Sequence, residues 1–226
     1  MNRSGCRAIQ AAAVLVLALT VTLVGVAGAA NKPKVHLTAA GKAAARKAVV
    51  RKSDLGGGIG WKGGMRKPDL SPDNALCSSF HPKVSDLVVI GAARSEWTNV
   101  GLVIESDSEV LRTPRMVRLD WKRTVLSPHL KTCLRSVVKK GLGSKGQLVS
   151  LRRFSVPRIK GRIRGYGFII KVQAAGTKVS MMFDTILIGR GRTEVTLMTA
   201  APLASKSAVR KAERALVARL VKRIKA

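Results

Sequence analysis

Carboxylates are scarce in this sequence, and four of them, Glu96, Glu105, Asp120 and Asp184, lie in regions patterned like folded elements. Two acids brought together in a cleft could supply the acid and base of a hydrolytic site, but their positions along the chain do not pair them. His36, His81 and His129 are scattered without metal-ligand spacing, and no Cys-x-x-Cys occurs. There is no Gly-x-Ser-x-Gly elbow, and Gly141-Leu142-Gly143-Ser144-Lys145-Gly146 lacks the spacing of a phosphate-binding loop. No cofactor and no metal are expected, and the residues favour a protein that is not an enzyme.

Charge is the stronger signal. The 226 residues carry 42 Lys and Arg against 12 Asp and Glu, a formal charge of +30. With 46% hydrophobic residues the chain is too apolar for a disordered basic tail, so a folded domain must carry that charge. Arg152, Arg153, Arg158, Lys160, Arg162 and Arg164 form one acid-free cluster. Arg210, Lys211 and Arg214 belong to a second, in the last helical stretch, where Glu213 is the one acid. Such residues draw in polyanions: an envelope polymer, an anionic lipid surface or nucleic acid. Arg164-Gly165-Tyr166-Gly167-Phe168-Ile169-Ile170 fits the RNA-recognition-motif signature until Lys171 replaces its last aromatic residue. A turn and another strand follow where that motif needs a helix, which favours an aromatic strand face packed under a helix. Sequence-specific nucleic-acid binding is not expected.

Residues 1–30 read as a secretory signal peptide: Arg3 and Arg7 precede an uncharged run that ends in Ala27-Gly28-Ala29-Ala30. An uncleaved anchor is the alternative. Residues 31–226 then form a single domain outside the cytoplasm, held at the envelope by charge if it is retained there. Cys77 and Cys133 remain, an even pair that in an exported protein reads as one disulfide. Its loop of about 57 residues would contribute roughly 4 kcal/mol on the chain-entropy model.

The elements that must position these groups are legible in outline. A helix over Ala39–Lys52 follows Thr38, and residues 54–76 form a Gly/Pro-rich loop anchored by Ile59 and Trp61. Strands are predicted at 87–96 and 101–105, and helices at 114–125 and 128–140, each opened by a hydroxyl residue and a proline. In the second of these helices, Leu130, Cys133, Leu134, Val137 and Val138 share a face, which buries Cys133. Strands at 147–154, 163–174, 177–188 and 192–200 make an antiparallel meander. A terminal helix after Ser205 or Ser207 aligns Val209, Ala212, Leu216, Leu220 and Ile224. The result is an α+β fold with helices on a mostly antiparallel sheet. Trp61 and Trp97 are the candidate walls of a ligand cleft; oligomeric state stays open.

Ser85-Asp86-Leu87-Val88 after a cysteine, Val103-Ile104-Glu105-Ser106 running into Val110-Leu111, a helix with Trp121, and then Cys133 resemble small secreted actinobacterial proteins. These in turn are similar to the PknH-like extracellular sensor domain. The resemblance spans roughly residues 75–200. It implies an exported, disulfide-held α+β domain that binds a ligand in a cleft without catalysis. This chain keeps one cysteine pair and no attached kinase, so no functional residue is carried over.

Overall fold

The computed structural model describes residues 31–56, 60–70, 80–174 and 177–224. Eight strands form one sheet: β1 (Lys34–Val35), β2 (Lys62–Arg66), β3 (Val88–Asn99), β4 (Leu102–Leu111), β5 (Gly146–Phe154), β6 (Arg162–Ala174), β7 (Thr177–Arg190) and β8 (Thr193–Pro202). The order is β1-β3-β4-β8-β7-β6-β5, and β2 also pairs with β3; among the described residues only the β1–β3 pair is parallel. In the meander of the last four strands, β6, β7 and β8 follow one another through two-residue connections, and residues 155–161 join β5 to β6. The fold is α+β, as its sequence pattern implies.

Among the described residues, four helices cover this sheet on both faces. On the first face lie α1 (Ala39–Ala48) and α4 (Lys206–Arg223), with Ala48, Leu216, Val217 and Leu220 packed on Ile104, Ile186, Ile188 and Leu197. On the second lie α2 (Pro114–Arg123) and α3 (Leu130–Leu142), where Leu134, Val138 and Leu142 cover Tyr166, Phe168, Ile170 and Val172. Thr38 and Thr113 cap α1 and α2 with their side chains, accepting from Gly41 and Met116 backbone N–H groups.

Several elements differ from expectation. The first helix stops at Ala48 rather than Lys52, because Val49 turns extended and the chain is gripped from below. Ser95 Oγ donates to the Val50 carbonyl at 2.7 Å, Ser106 Oγ accepts from Val50 N–H at 2.8 Å, and Trp97 Nε1 donates to the same carbonyl at 3.1 Å. The 54–76 segment is not all loop: Lys62–Arg66 pairs with Arg94–Thr98 as β2. Ile59 lies outside the described residues. In α4 the buried face includes Glu213, whereas Ala212 is exposed.

Candidate functional site

The second face of the sheet holds a small cleft beside α3, about 50 Å³ in cavity volume. Val103 of β4, Met198 and Ala200 of β8, Phe183 and Thr185 of β7, and Phe168 and Ile170 of β6 form the floor, and Val138 of α3 forms a wall. The strand registers put these residues on one face: Val103 opposes Ala200, Ala200 opposes Phe183, and Phe183 opposes Phe168. The lining also includes Thr199 and two carboxylate residues, Glu105, 1% exposed and ion-paired with Arg94, and Asp184, 2% exposed and ion-paired with Arg210. An apolar cleft whose two carboxylates are already neutralised by arginines suits a ligand that brings hydrocarbon rather than charge.

Neither candidate tryptophan belongs to it. Trp97 is 8% exposed in the core of the first face, its indole N–H spent on Val50, and Trp61 packs half-buried against that same core. Alternation along β3 explains this: Trp97 shares a face with Ser95 and opposes Ile104, away from the cleft. Tyr166 and Phe168 are both 3% exposed beneath Leu134 of α3, so neither offers a free ring to a nucleic-acid base.

Of the four candidate carboxylates, Glu105 and Asp184 both belong to the lining of the cleft, but their strand registers turn them to opposite faces of the sheet, so they do not pair. Glu96 bridges Arg66 across β2–β3 at 3.5 Å. Asp184, on the first face, takes a 2.8 Å ion pair from Arg210, whose guanidinium also lies 4.2 Å over the Phe154 ring. Thr199 donates to the buried Glu213 next to them, and burial and then the Asp184 charge push that carboxyl up to about 8. Asp120 does meet a second acid: it hydrogen-bonds Glu194 of β8, which stands opposite Glu109 of β4. This group sits beneath α2 and does not line the cleft. Burial raises all three, Glu109 to about 7 and Glu194 well above its ordinary value, with like charges nearby adding to both. The alternating Glu105, Asp107 and Glu109 along β4 are the sequence signal for this acidic strip; as a lone strand pattern they read as a solvent face.

The basic residues fall on more than one surface. Arg153, Arg162 and Arg164 share the second face through their registers with Tyr166, Gly189 and Leu187, while Arg152 opposes Gly167 on the first. Arg210 is committed to Asp184, which corrects its expected place in a free polyanion-binding surface. Arg152, Arg153, Arg158, Lys160, Lys211 and Arg214 are exposed. Among the described carboxylates only Asp69 and Asp86 are exposed, and Arg123 bridges Asp86 at 2.6 Å. The acids are folded inward, so the outer surface is more cationic than the composition alone implies.

Cys133 is buried at 3% exposure, where Phe80 packs beside it. Its expected partner, Cys77, lies outside the described residues. No helix among the described residues is long and apolar enough to cross a membrane.

No protein-family model and no curated protein matches the chain. Among solved structures it is similar to the extracellular domain of PknH from Mycobacterium tuberculosis, at 10% identity and a TM-score of 0.40, over 81% of this chain and 95% of that one. The resemblance to that extracellular domain is distant. LpqN of the same organism, described as involved in cell envelope biogenesis, matches at 8% identity and a TM-score of 0.26, over 70% of this chain and 76% of that one. The yeast Ran-binding protein Mog1p matches at 12% and 0.29, over 57% of this chain and 77% of that one. None of these likenesses assigns a role to a residue.

Proposed function

We propose that this chain is an exported, non-catalytic binding module of the cell envelope or extracellular space, and that its ligand enters the second-face cleft with an apolar group. The observation that carries this reading is the lining: Val103, Val138, Phe168, Ile170, Phe183 and Met198 surround the space, and both of its carboxylates, Glu105 and Asp184, are already paired with arginines. The signal-like residues 1–30 support export. A disulfide between Cys77 and Cys133 belongs to the same reading, because Phe80, three residues beyond Cys77, packs on Cys133, within the reach of so short a segment. Mass mapping of the secreted protein without reduction would find that pair joined; two free thiols would end this part. For the cleft, titrating an apolar fluorescent probe across a salt series would give saturable binding that salt hardly changes.

A second reading, binding of an anionic polymer, is favoured by the inward folding of the acids. It would reveal itself by affinity that falls steeply as salt rises.

A further inference from the structure

The helices that cover the two faces of the sheet are cationic on their outer sides. On the first face, α1 and α4 expose Lys42, Arg46, Lys211, Arg214 and Lys222, and the single acid of these two helices, Glu213, is 2% exposed and turned to the sheet. On the second, α2 and α3 expose Arg115, Arg118, Lys131, Arg135 and Lys139; their single acid, Asp120, is bonded inward to Glu194. Two helix diameters and a sheet separate these outer surfaces, roughly 30 Å. That is several times the Debye length of about 8 Å at physiological salt, so a polyanion neutralising one layer leaves the field of the other intact.

We propose that the two helical layers are independent polyanion-binding faces, so that one molecule bridges two chains of an anionic, phosphate-bearing polymer. This inference rests on the polyanion reading above and goes beyond it by requiring two faces. A soluble polymer fits better than a bilayer. Membrane-surface helices set Trp, Phe or Leu beside their cations, whereas the exposed apolar positions of α1 and α4 are alanines such as Ala43, Ala212, Ala215 and Ala218. Recognition is by charge alone, since the strand aromatics lie under α3.

The test uses long-chain inorganic polyphosphate, with binding read by fluorescence anisotropy and bridging by light scattering. The wild-type protein should bind and cluster the polymer, clusters forming at intermediate protein-to-polymer ratios and dissolving in excess protein or high salt. Reversing Lys42, Arg46, Lys211 and Arg214 to Glu should weaken binding by about tenfold at fixed salt and abolish clustering; reversing Arg115, Arg118, Lys131 and Arg135 should do the same. Glutamine versions of both sets, with unchanged near-ultraviolet dichroism, guard against unfolding and should also lose clustering. Binding without clustering in the wild type, or clustering that survives the loss of either layer, would overturn the two-face proposal while leaving the polyanion reading standing. Absence of binding would remove both. Clustering of phosphatidylglycerol vesicles but not of polyphosphate would overturn the choice of a soluble polymer.

Discussion

Glu109 of β4 and Glu194 of β8 stand directly opposite each other in the sheet, and Asp120 of α2 closes over them with a hydrogen bond to Glu194. Like charges in opposed strand positions repel, and Glu194 Oε1 is buried without a hydrogen-bond partner. Asp107, Arg162 and Arg123 are the further charges acting on the group, the first on Glu109, the second on Glu194 and the third on Asp120. The arrangement is comfortable only while protons are shared among the three acids.

A pH dependence follows. An acid raised on folding favours the protonated native state, so the stability it confers is complete below its unfolded value and is lost as pH climbs through the folded one. For Glu109 that window runs from 4.5 to about 7, and for Glu213 from 4.5 to about 8. Asp54 and Asp86 act oppositely. Burial raises Asp54, but its hydrogen bonds from Arg223 and from the Arg51 backbone outweigh burial; the Arg123 hydrogen bond lowers Asp86. Their contribution is lost as pH falls below about 4. The melting temperature should therefore peak near pH 5 and fall by about 5 °C towards pH 8, and Glu109→Gln should flatten that fall. A melting temperature that rises steadily from pH 5 to 8 would show that the cluster is not strained.

Arg210 should be a structural residue, unlike its neighbours on α4. Replacing it with Gln leaves Asp184, 2% exposed, as an uncompensated buried charge, at a cost of about 3–5 kcal/mol. Asp184→Asn in the same chain should recover much of that loss, and Lys211→Gln, on the exposed side, should change stability by no more than about 0.5 kcal/mol. Urea denaturation of the set is the measurement; equal effects of the Arg210 and Lys211 changes would remove Asp184 as the cause.

The docking of α1 depends on backbone touching backbone at Gly41 and Gly91. A Cβ on Gly91 would lie 2.1 Å from the Gly41 carbonyl, where no side chain can yield. Gly91→Ala should cost about 2–3 kcal/mol and raise hydrogen exchange in α1 before the rest of the sheet. Protection in α1 equal to the wild type would mean that the strand absorbs the added methyl.

Local signals carried much of the fold into the sequence. The hydroxyl of Thr113 and the proline after it start α2, the apolar spacing around Cys133 turns that residue inward, and the tight turns of the last strands fix the meander. Distant pairings were hidden. Glu109 and Glu194 become neighbours only through strand order, and Trp97, which resembles a cleft wall on an isolated strand, faces the core because β3 alternates. Glu213 was obscured by a helix whose Ala212 fits an apolar stripe equally well, although Thr199 and the Arg210–Asp184 pair draw the next residue in. The cleft itself needs four strands and α3 in register, which no single segment encodes.

The most direct test fills that cleft. Ala200, 2% exposed on its floor, is changed to Phe, and an apolar fluorescent probe is titrated into this variant and the wild type, with matched near-ultraviolet dichroism as the folding control. The expected result is one saturable, salt-insensitive site in the wild type and at least about tenfold weaker binding in the variant. Equal, saturable binding by both proteins would place the ligand elsewhere and contradict the assignment of the second-face cleft.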